Sequence, residues 1–485
     1  MPSFIKSLFF ALVLLMSTIV RAQLVVPEIF SDNMVLQRDK PVPVWGRATP
    51  GQAVSVSFGG GSQTAKADAA GQWKIMLPSM PANAVPQSMT VQGESTIVFK
   101  NILVGDVWLC SGQSNMEYPL DRSLLRYAGP AKGPDVATLE ITAAKPEGVR
   151  YILVDRALNQ FPKLPTKGWV TGEDGTVKHG SAIGYFFAKE INSKMGVPIG
   201  VITSAWGGTR IEPWVPESEW LTSPVFRDSA KGADFTIDRS KTGTMFKGMI
   251  SPMVPFAIKG VLWYQGESNV LRHDHQTYPE KFRLLVASWR RLFNDADMPF
   301  YYVQLAPYSY SARKDTRNNE DLLPYMWEAQ TSSLTLKNTG MVVTTDLVDN
   351  LADIHPSYKW EIAHRLALVA LNGVYQQKGM VYSGPSFVSA KRKKKALMLS
   401  FDHVGGGLAS SDGKPLTWFS IAGKDLQFAP AAAVIEGNQL KVLAPTVKKP
   451  MYVRFAWSEK AQPNFINKEG LPALPFRTDA SPYKE

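Results

Sequence analysis

The sequence has almost no cysteine: Cys110 is the only one in 485 residues. A single cysteine cannot form a disulfide within the chain, so the fold must depend on its hydrophobic core. Cys110 ends the apolar run at 107–110, where a small buried side chain is a simpler interpretation than a nucleophile. The scarcity of cysteine therefore argues against both a disulfide scaffold and a cysteine-dependent enzyme.

Histidine is scarce as well, with six in the chain. None stands in a zinc-binding pattern with cysteine or in a His-Glu-x-x-His helix. His273 and His275 flank an aspartate and could hold a metal, but such a cluster is more typical of a solvated loop. The sequence therefore predicts an activity that uses no metal and no cofactor.

Long apolar runs are missing after the first 22 residues. That first stretch has Lys6 near its start, an apolar segment at 8–16 and the small-residue ending Val20-Arg21-Ala22. This order is typical of a secretory signal, and the apolar segment is short for a membrane span, although an uncleaved anchor is the alternative. We predict a signal peptide at 1–22 and a periplasmic or secreted protein without a membrane span.

Acidic residues are outnumbered by basic ones, 42 to 53, which gives a net charge of +11. The one dense basic run, at 391–395, lies between two strand-like segments, where lysine commonly protects an exposed sheet edge. The other positive charges are scattered along the chain. We therefore expect no nucleic-acid partner, and the pattern does not indicate an oligomeric state.

The chain after residue 22 divides into three parts. Residues 23–104 carry short strand-like segments separated by glycine turns, which favours a β-sandwich-like domain. Residues 105–378 alternate buried strands with amphipathic helices and predict an α/β domain with a doubly wound, mostly parallel sheet. Residues 379–485 return to strands and predict a β-rich region. The core strands are expected at 107–110, 199–203, 261–264, 300–305 and 341–345, and the helices after Ser181, after Thr277 and from Pro356 to near Gly373.

Polar or glycine-rich segments follow four of the predicted strands, one of them after a short loop. They are Gly-Gln-Ser-Asn-Met at 112–116, Trp-Gly-Gly-Thr at 206–209, Gln-Gly-Glu-Ser-Asn at 265–269 and Asp-Ile-His-Pro at 353–356. The carboxyl ends of parallel strands share one rim of the sheet, where ligands bind. Ser114 therefore has the position of a nucleophile, with glycine N–H groups nearby to receive an oxyanion.

Asp353 and His355 could activate that serine. Residues two apart in an extended segment point to the same side, so the carboxylate could hold the Nδ1–H of the imidazole and leave Nε2 for Ser114. Asp353 could instead cap the following helix. Asp346 and Asp349 are then the alternative acids.

Together with Trp263 and Tyr264, these four motifs resemble the SGNH hydrolase superfamily and, within it, the sialate O-acetylesterase family. The similarity covers about residues 105–375, and the segments 30–37 and 43–46 are typical of the family's amino-terminal β domain. The resemblance implies an SGNH, flavodoxin-like hydrolase core. Two departures from the superfamily pattern are present: its third motif usually reads Gly-x-Asn-Asp, and two residues usually separate the acid from the histidine, where only Ile354 stands here.

The resemblance also implies roles for individual residues. Ser114 would be the nucleophile, His355 the base and Asp353 the acid that orients it. The oxyanion hole would combine the Ser114 N–H, a glycine N–H and a polar side chain, and the candidates for the last two are Gly207, Gly208, Asn269, Gln265 and Ser268. The residues expected to bind the substrate are Gln113, Trp206, Arg210 and Glu267.

These features predict a serine esterase that removes acetyl groups from sugar hydroxyls, with O-acetylated sialic acid as its first substrate. Arg210 would then meet the sialic acid carboxylate, and Trp206, Trp214 and Trp263 could line the sugar site or belong to the core. Acetylated xylan or another polysaccharide is the alternative substrate. A non-catalytic glycan-binding protein is a second alternative, although such a protein has no need of a serine and a histidine on one rim.

Overall fold

The computed structural model describes residues 23–143, 145–158, 162–228, 236–237, 240–315 and 317–481. The predicted signal peptide at 1–22 lies outside these ranges. Within them, no helix combines the length and the apolar character that a membrane crossing requires.

The first six strands in chain order are β1 Val35–Gln37, β2 Val42–Arg47, β3 Ala53–Phe58, β4 Gly61–Lys66, β5 Gln72–Leu77 and β6 Asn83–Gln92.

These six strands form an amino-terminal β region with mainly antiparallel pairing. β2 pairs with β5, and β3 pairs with both β4 and β6. Along β5, Trp73, Ile75 and Leu77 are buried while the residues between them are exposed. This alternation places one face of the strand on the core and the other in water, as the sequence pattern predicts.

A single long strand, β7 Thr96–Gly112, connects this region to the centre of the molecule. Its first half pairs antiparallel with β6, and its second half pairs parallel with two strands of the central sheet. Residues 102–112 are all buried, which explains the unbroken apolar run there. The domain boundary predicted between 104 and 105 falls inside this strand, so the division into domains stays a prediction.

The central sheet is mixed, with parallel strands at its centre. Its order is β15-β14-β13-β7-β10-β8-β9, and every neighbouring pair is parallel except β8 with β9 at one edge. The strands are β8 Val149–Val154, β9 Thr166–Thr171, β10 Ile199–Ala205, β13 Gly260–Tyr264, β14 Phe300–Val303 and β15 Thr339–Val342, and the small hairpin β11 Thr236–Ile237 and β12 Ser240–Lys241 lies outside the sheet.

Helices cover both faces of this sheet. Trp108 of β7 packs edge-on against Phe187 with ring centroids 5.0 Å apart, and Trp263 of β13 packs against Trp289 at 5.9 Å. Trp108 is in register with Gly260, so Trp263, three residues further along, points to the opposite face. Phe187 and Trp289 therefore belong to helices on opposite sides of the sheet.

The α-helices of the described residues are α1 Ser114–Glu117, α2 Val136–Thr142, α3 Ala182–Met195, α4 Glu217–Thr222, α5 Glu267–Val270, α6 Tyr278–Leu292, α7 Leu322–Ser332 and α8 Lys359–Gly373. Shorter 3-10 turns occur at Arg122–Leu125, Gly175–His179, Glu212–Trp214, Ser251–Met253, Asp274–Gln276, Tyr310–Ala312 and Ser333–Thr335, with one π-helical turn at Phe246–Ile250.

Local signals in the sequence set several helix boundaries. The Ser181 hydroxyl accepts the Gly184 N–H at 3.2 Å and caps α3, as predicted. α8 ends at Gly373 as expected but begins at Lys359, three residues later than the prediction from Pro356. In the segment before the helix, the Asp353 carboxylate accepts the His355 N–H at 2.9 Å, and the Lys359 N–H donates to the Ser357 carbonyl oxygen at 2.8 Å.

The carboxyl-terminal region is rich in β-strands, and the strands of its sheets pair antiparallel. Two four-stranded sheets have the orders β16-β17-β22-β21 and β20-β19-β23-β25. β16 is an edge strand that includes 391–393, and Lys394 with φ of +55° turns the chain into β17, so the basic run lies on a sheet edge. The strands are β16 Ser386–Lys393, β17 Ala396–Asp402, β18 Leu408–Ser410, β19 Phe419–Ala422, β20 Ala429–Pro430, β21 Ala432–Glu436, β22 Gln439–Leu443, β23 Tyr452–Phe455, β24 Phe465–Asn467 and β25 Phe476–Arg477.

Candidate active site

Ser114 lies where β7 leaves the central sheet. Gly112 ends the strand with φ of +138°, and a Cβ at this position would lie 2.1 Å from the Tyr264 carbonyl oxygen of the neighbouring strand. Only glycine accepts both the backbone angle and this close approach. Gln113 stays extended, and Ser114 then opens the four-residue helix α1. The Ser114 N–H donates no hydrogen bond within the described residues, which leaves it available at the start of a helix.

His355 meets Ser114 across the rim. Its Nε2 lies 2.9 Å from the Ser114 Oγ, although 241 positions separate the two residues in the chain. At this distance the imidazole can accept the hydroxyl proton when the serine oxygen acts as a nucleophile. One face of the imidazole is covered by the Tyr127 ring, with centroids 4.6 Å apart.

Asp353 lies on the other side of the imidazole. Its Oδ1 is 3.4 Å from His355 Nδ1, longer than an ordinary hydrogen bond, and also accepts the His355 backbone N–H at 2.9 Å. The interaction with the His355 side chain is the main reason that the pKa of Asp353 lies below its usual value. The two alternative acids are engaged elsewhere: Asp346 pairs with Arg365 at 2.6 Å, and Asp349 accepts the Tyr358 hydroxyl at 2.9 Å.

The Trp-Gly-Gly-Thr segment follows β10, the strand next to β7, and lies against the serine. A Cβ on Gly207 would lie 3.2 Å from the Ser114 Cβ. The Gly207 N–H donates to Glu117 Oε2 at 2.7 Å. The Gly208 N–H has no hydrogen-bond partner within the described residues, and φ of +76° places this exposed glycine in a turn. Of the two glycines, Gly208 thus has the N–H that is free for a ligand.

Gln265 and Asn269 are fully buried, and their side-chain amides bind other protein groups. Gln265 Nε2 lies 3.1 Å from Gln113 Oε1 and 2.7 Å from Asn269 Oδ1. Asn269 Nδ2 donates to Asp274 at 2.6 Å. Gln113 Oε1 also accepts the N–H groups of Gly266 and Ser268, both at 3.3 Å. These amides therefore connect the first and third motifs, and the structure does not present them as free donors beside Ser114.

Arg210 and Glu267, two of the expected substrate-binding residues, lie inside the protein. Arg210 pairs with Glu212 at 2.5 Å and Asp274 at 3.4 Å in a buried ion cluster. The sequence did not indicate this cluster, because Asp274 lies far along the chain from Arg210 and Glu212. Glu267 is only 3% exposed, and its Oε1 accepts from Asn115 Nδ2 at 2.5 Å.

The tryptophans divide between the site and the core. Trp206 is partly exposed, with the Arg156 guanidinium 5.7 Å from its ring centroid. Trp214 and Trp263 are fully buried and pack against each other with centroids 6.1 Å apart, so they belong to the core. Of the three, only Trp206 has a surface that a sugar could reach.

Sequence reasoning missed several residues beside the serine. The Glu117 carboxylate is bound by Arg156 through two hydrogen bonds of 2.6 and 2.7 Å. Asn115 belongs to the first motif and Glu117 follows it directly. Their closeness to Ser114 in the chain could have suggested that both lie near the serine. Tyr127, Arg156 and Lys359 carry no local signal, because only the tertiary fold brings them to this rim.

Fold and site together define an ester hydrolase with a parallel-sheet core. The family model described as "carbohydrate esterase, sialic acid-specific acetylesterase" matches residues 104–371, more than half of the chain. The chain belongs to this family of carbohydrate esterases. It is an enzyme that hydrolyses O-acetyl esters on sugars.

Two groups of relatives agree with this assignment. The sialate O-acetylesterase of Pongo abelii is 28% identical over 491 residues, covering 92% of this chain and 91% of the relative. That of Homo sapiens is 29% identical over 388 residues, covering 73% of this chain and 72% of the relative. The crystal structure of a carbohydrate acetylesterase from Xanthomonas citri matches with a TM-score of 0.84 and 35% identity, over 95% of this chain and all of that one.

Proposed function

We propose that the enzyme hydrolyses sugar O-acetyl esters through a Ser114–His355–Asp353 triad. The observation that carries this proposal is the 2.9 Å contact between Ser114 Oγ and His355 Nε2. Ser114 Oγ attacks the acetyl carbonyl carbon while Nε2 takes its proton. His355 then protonates the departing sugar oxygen, and the C–O bond of the ester breaks. A water then attacks the acetyl-serine and gives a proton to His355, which passes it to Ser114 Oγ as the bond between the acetyl carbon and Oγ breaks and acetate is released.

The oxyanion of the tetrahedral intermediate lies, in this proposal, between the N–H groups of Ser114 and Gly208. Both donors are unoccupied within the described residues, and the carbonyl oxygen of an ester attacked by Ser114 needs donors at this point. Gly207, whose N–H is held by Glu117, acts by placing the turn. The buried amides of Gln265 and Asn269 support the loops from behind.

O-acetylated sialic acid is the first proposed substrate, because the family description and the mammalian relatives name it. The role expected for Arg210 does not support this choice, since its guanidinium is paired inside the protein. An acetylated polysaccharide such as xylan is the second candidate, favoured by the likeness to a carbohydrate acetylesterase from Xanthomonas citri.

We further propose an SGNH-type catalytic core at 105–378, flanked by a β domain at 23–104 and a β region at 379–485. The four motifs on one rim and the parallel strands support this assignment. The proposed signal peptide at 1–22 would direct the enzyme to the periplasm or the exterior, where acetylated glycans are present.

The test is acetate release from an O-acetylated sialoglycan and from acetylated xylan, measured side by side for the natural enzyme and Ser114→Ala. We expect the variant to lose the activity while its circular dichroism spectrum stays unchanged, because the hydroxyl is removed without a change in packing. A fluorophosphonate probe should label Ser114 in the natural enzyme alone. Full activity of Ser114→Ala would refute the mechanism, and the faster substrate identifies the sugar.

A further inference from the structure

A buried polar cluster lies directly behind the proposed triad. Asn115 follows Ser114, and its Nδ2 donates to the Ile354 carbonyl oxygen at 3.0 Å and to Glu267 Oε1 at 2.5 Å. Its Oδ1 accepts from Lys359 Nζ at 2.6 Å. Ile354 stands between Asp353 and His355, so one amide ties the nucleophile's helix to the loop that carries the other two triad residues.

The cluster is closed to solvent. Asn115, Glu267 and Lys359 are 1%, 3% and 0% exposed. At this depth a hydrogen bond is not replaced by water when it breaks, so the amide has one favourable orientation, with its oxygen on the ammonium and its nitrogen on the carboxylate. A reversed amide would place its N–H groups on Lys359 and its oxygen on two acceptors.

Opposite charges are also buried here. Glu267 Oε2 has no hydrogen-bond partner within the described residues, and Lys359 supplies the nearby positive charge. Burial raises the pKa of Glu267, and burial lowers the pKa of Lys359 to about 7. Burial of either charge without the other would therefore lower the stability of the folded protein.

The surroundings of the two charges come from several elements. Lys359 Nζ lies 4.6 Å from the centroid of the Tyr118 ring and 5.6 Å from that of Tyr264, and it interacts electrostatically with Asp353 as well as Glu267. Glu267 interacts in the same way with His355. The titratable and charged groups around the His355 imidazole are thus Asp353, Glu267, Lys359 and the stacked Tyr127.

We propose that Glu267 and Lys359 are positioning residues, which act through the Asn115 amide to hold the Asp353–His355 loop against Ser114. This role rests on the proposed triad. Neither side chain reaches the reacting atoms: Lys359 fixes the amide oxygen, Glu267 fixes the amide nitrogen, and the amide then fixes Ile354. Their opposite charges also act on the imidazolium that forms when His355 takes the serine proton.

The experiment compares Glu267→Gln, Lys359→Met and the double variant with the natural enzyme on 4-nitrophenyl acetate, across a range of pH. Glu267→Gln keeps the shape and the acceptor for Asn115 but removes the negative charge. We expect kcat of each single variant to fall on the order of tenfold or more with KM nearly unchanged, because a displaced imidazole affects the reaction and not the binding of a small ester.

The pH profile supplies a readout that a merely structural role would not move. Removal of the negative charge disfavours the imidazolium, so the acidic limb of kcat/KM should move to lower pH in Glu267→Gln. Removal of the positive charge should move it to higher pH in Lys359→Met. We expect the acidic limb to shift by about half a pH unit in each single variant, in these opposite directions. In the double variant the limb should stay close to that of the natural enzyme.

Lys337→Met is the matched control, because this exposed lysine pairs with Asp297 at 2.6 Å on the surface and should leave the profile unchanged. If Lys359→Met fails to fold, the isosteric Glu267→Gln still decides the question. Unchanged kcat and an unchanged acidic limb in a folded Glu267→Gln would overturn the inference. Loss of activity in Ser114→Ala alongside that result would leave the proposed function intact.

Discussion

Asp353 has the loosest contact in the proposed triad. Its Oδ1 lies 3.4 Å from His355 Nδ1, and nearly a third of its side chain is exposed, so water weakens the interaction. The same oxygen accepts the backbone N–H of His355, which fixes the turn itself. Asp353 therefore contributes both to the orientation of the imidazole and to the shape of its loop.

We expect Asp353→Asn to lower kcat on the order of a hundredfold, because the neutral amide no longer stabilises the imidazolium or selects the tautomer with Nδ1–H. Steady-state acetate release measures this. The matched control is Asp349→Asn, which removes a carboxylate from the neighbouring loop and should change kcat little. A larger loss in Asp349→Asn than in Asp353→Asn would assign the acid to Asp349.

Elements rather than single residues set the position of the serine. β7 enters the central sheet between β10 and β13 and stops at Gly112, where the chain passes within van der Waals distance of the Tyr264 carbonyl oxygen. Helix α1 starts two residues later. The sharp exit from the strand is what places a helix N-terminus, and with it the Ser114 N–H, at the rim of the sheet.

Gly112→Ala should damage both stability and activity. The added Cβ would overlap the Tyr264 carbonyl oxygen and force the backbone away from φ of +138°, at a cost of about 1–3 kcal/mol in the free energy of unfolding. Urea unfolding measures the cost. Gly437→Ala is the control, since φ is +65° there with open space around it, and its smaller cost should be about 1 kcal/mol. Equal stability of Gly112→Ala and the natural enzyme would contradict this account.

At the scale of the whole molecule, the carboxyl-terminal region is tied to the core beside the catalytic rim. Glu459 is fully buried, and its carboxylate accepts the Ser311 N–H at 3.0 Å as well as the Ser311 hydroxyl. Its backbone binds Tyr308 and Glu320 at 3.1 and 2.8 Å. Gln462 donates to the Val348 carbonyl oxygen at 2.9 Å, in the loop that leads to Asp353.

Glu459→Ala should therefore lower the stability of the whole protein. Loss of the carboxylate leaves the Ser311 N–H and hydroxyl without their partner, which costs about 1–3 kcal/mol and lowers Tm by a few degrees. Differential scanning calorimetry measures the shift. Glu436→Ala removes an exposed carboxylate in the same region and should change Tm little. An unchanged Tm in Glu459→Ala would show that this contact does not couple the two regions.

The sequence by itself determined the elements and the four motifs that carry the chemistry. Short-range patterns account for this: burial on both faces makes the core strands continuously apolar, and Ser181 and Gly196 mark the two ends of α3 by local backbone chemistry. The motif residues Ser114, Asp353 and His355 could be named because each follows a strand of the same sheet, and parallel strands end on one rim.

Only the tertiary structure decided which polar side chains are free and which are paired. Arg210 was expected to bind the substrate and Gln265 to bind the oxyanion, yet they bind Glu212 and Gln113 inside the protein. Conversely, Lys359 and Arg156 carry no motif, yet they bind Asn115 and Glu117 on the helix that begins at the serine. The reason is physical: a hydrogen bond depends on distance in space, and partners far apart in the chain meet only after the sheet has brought their loops together.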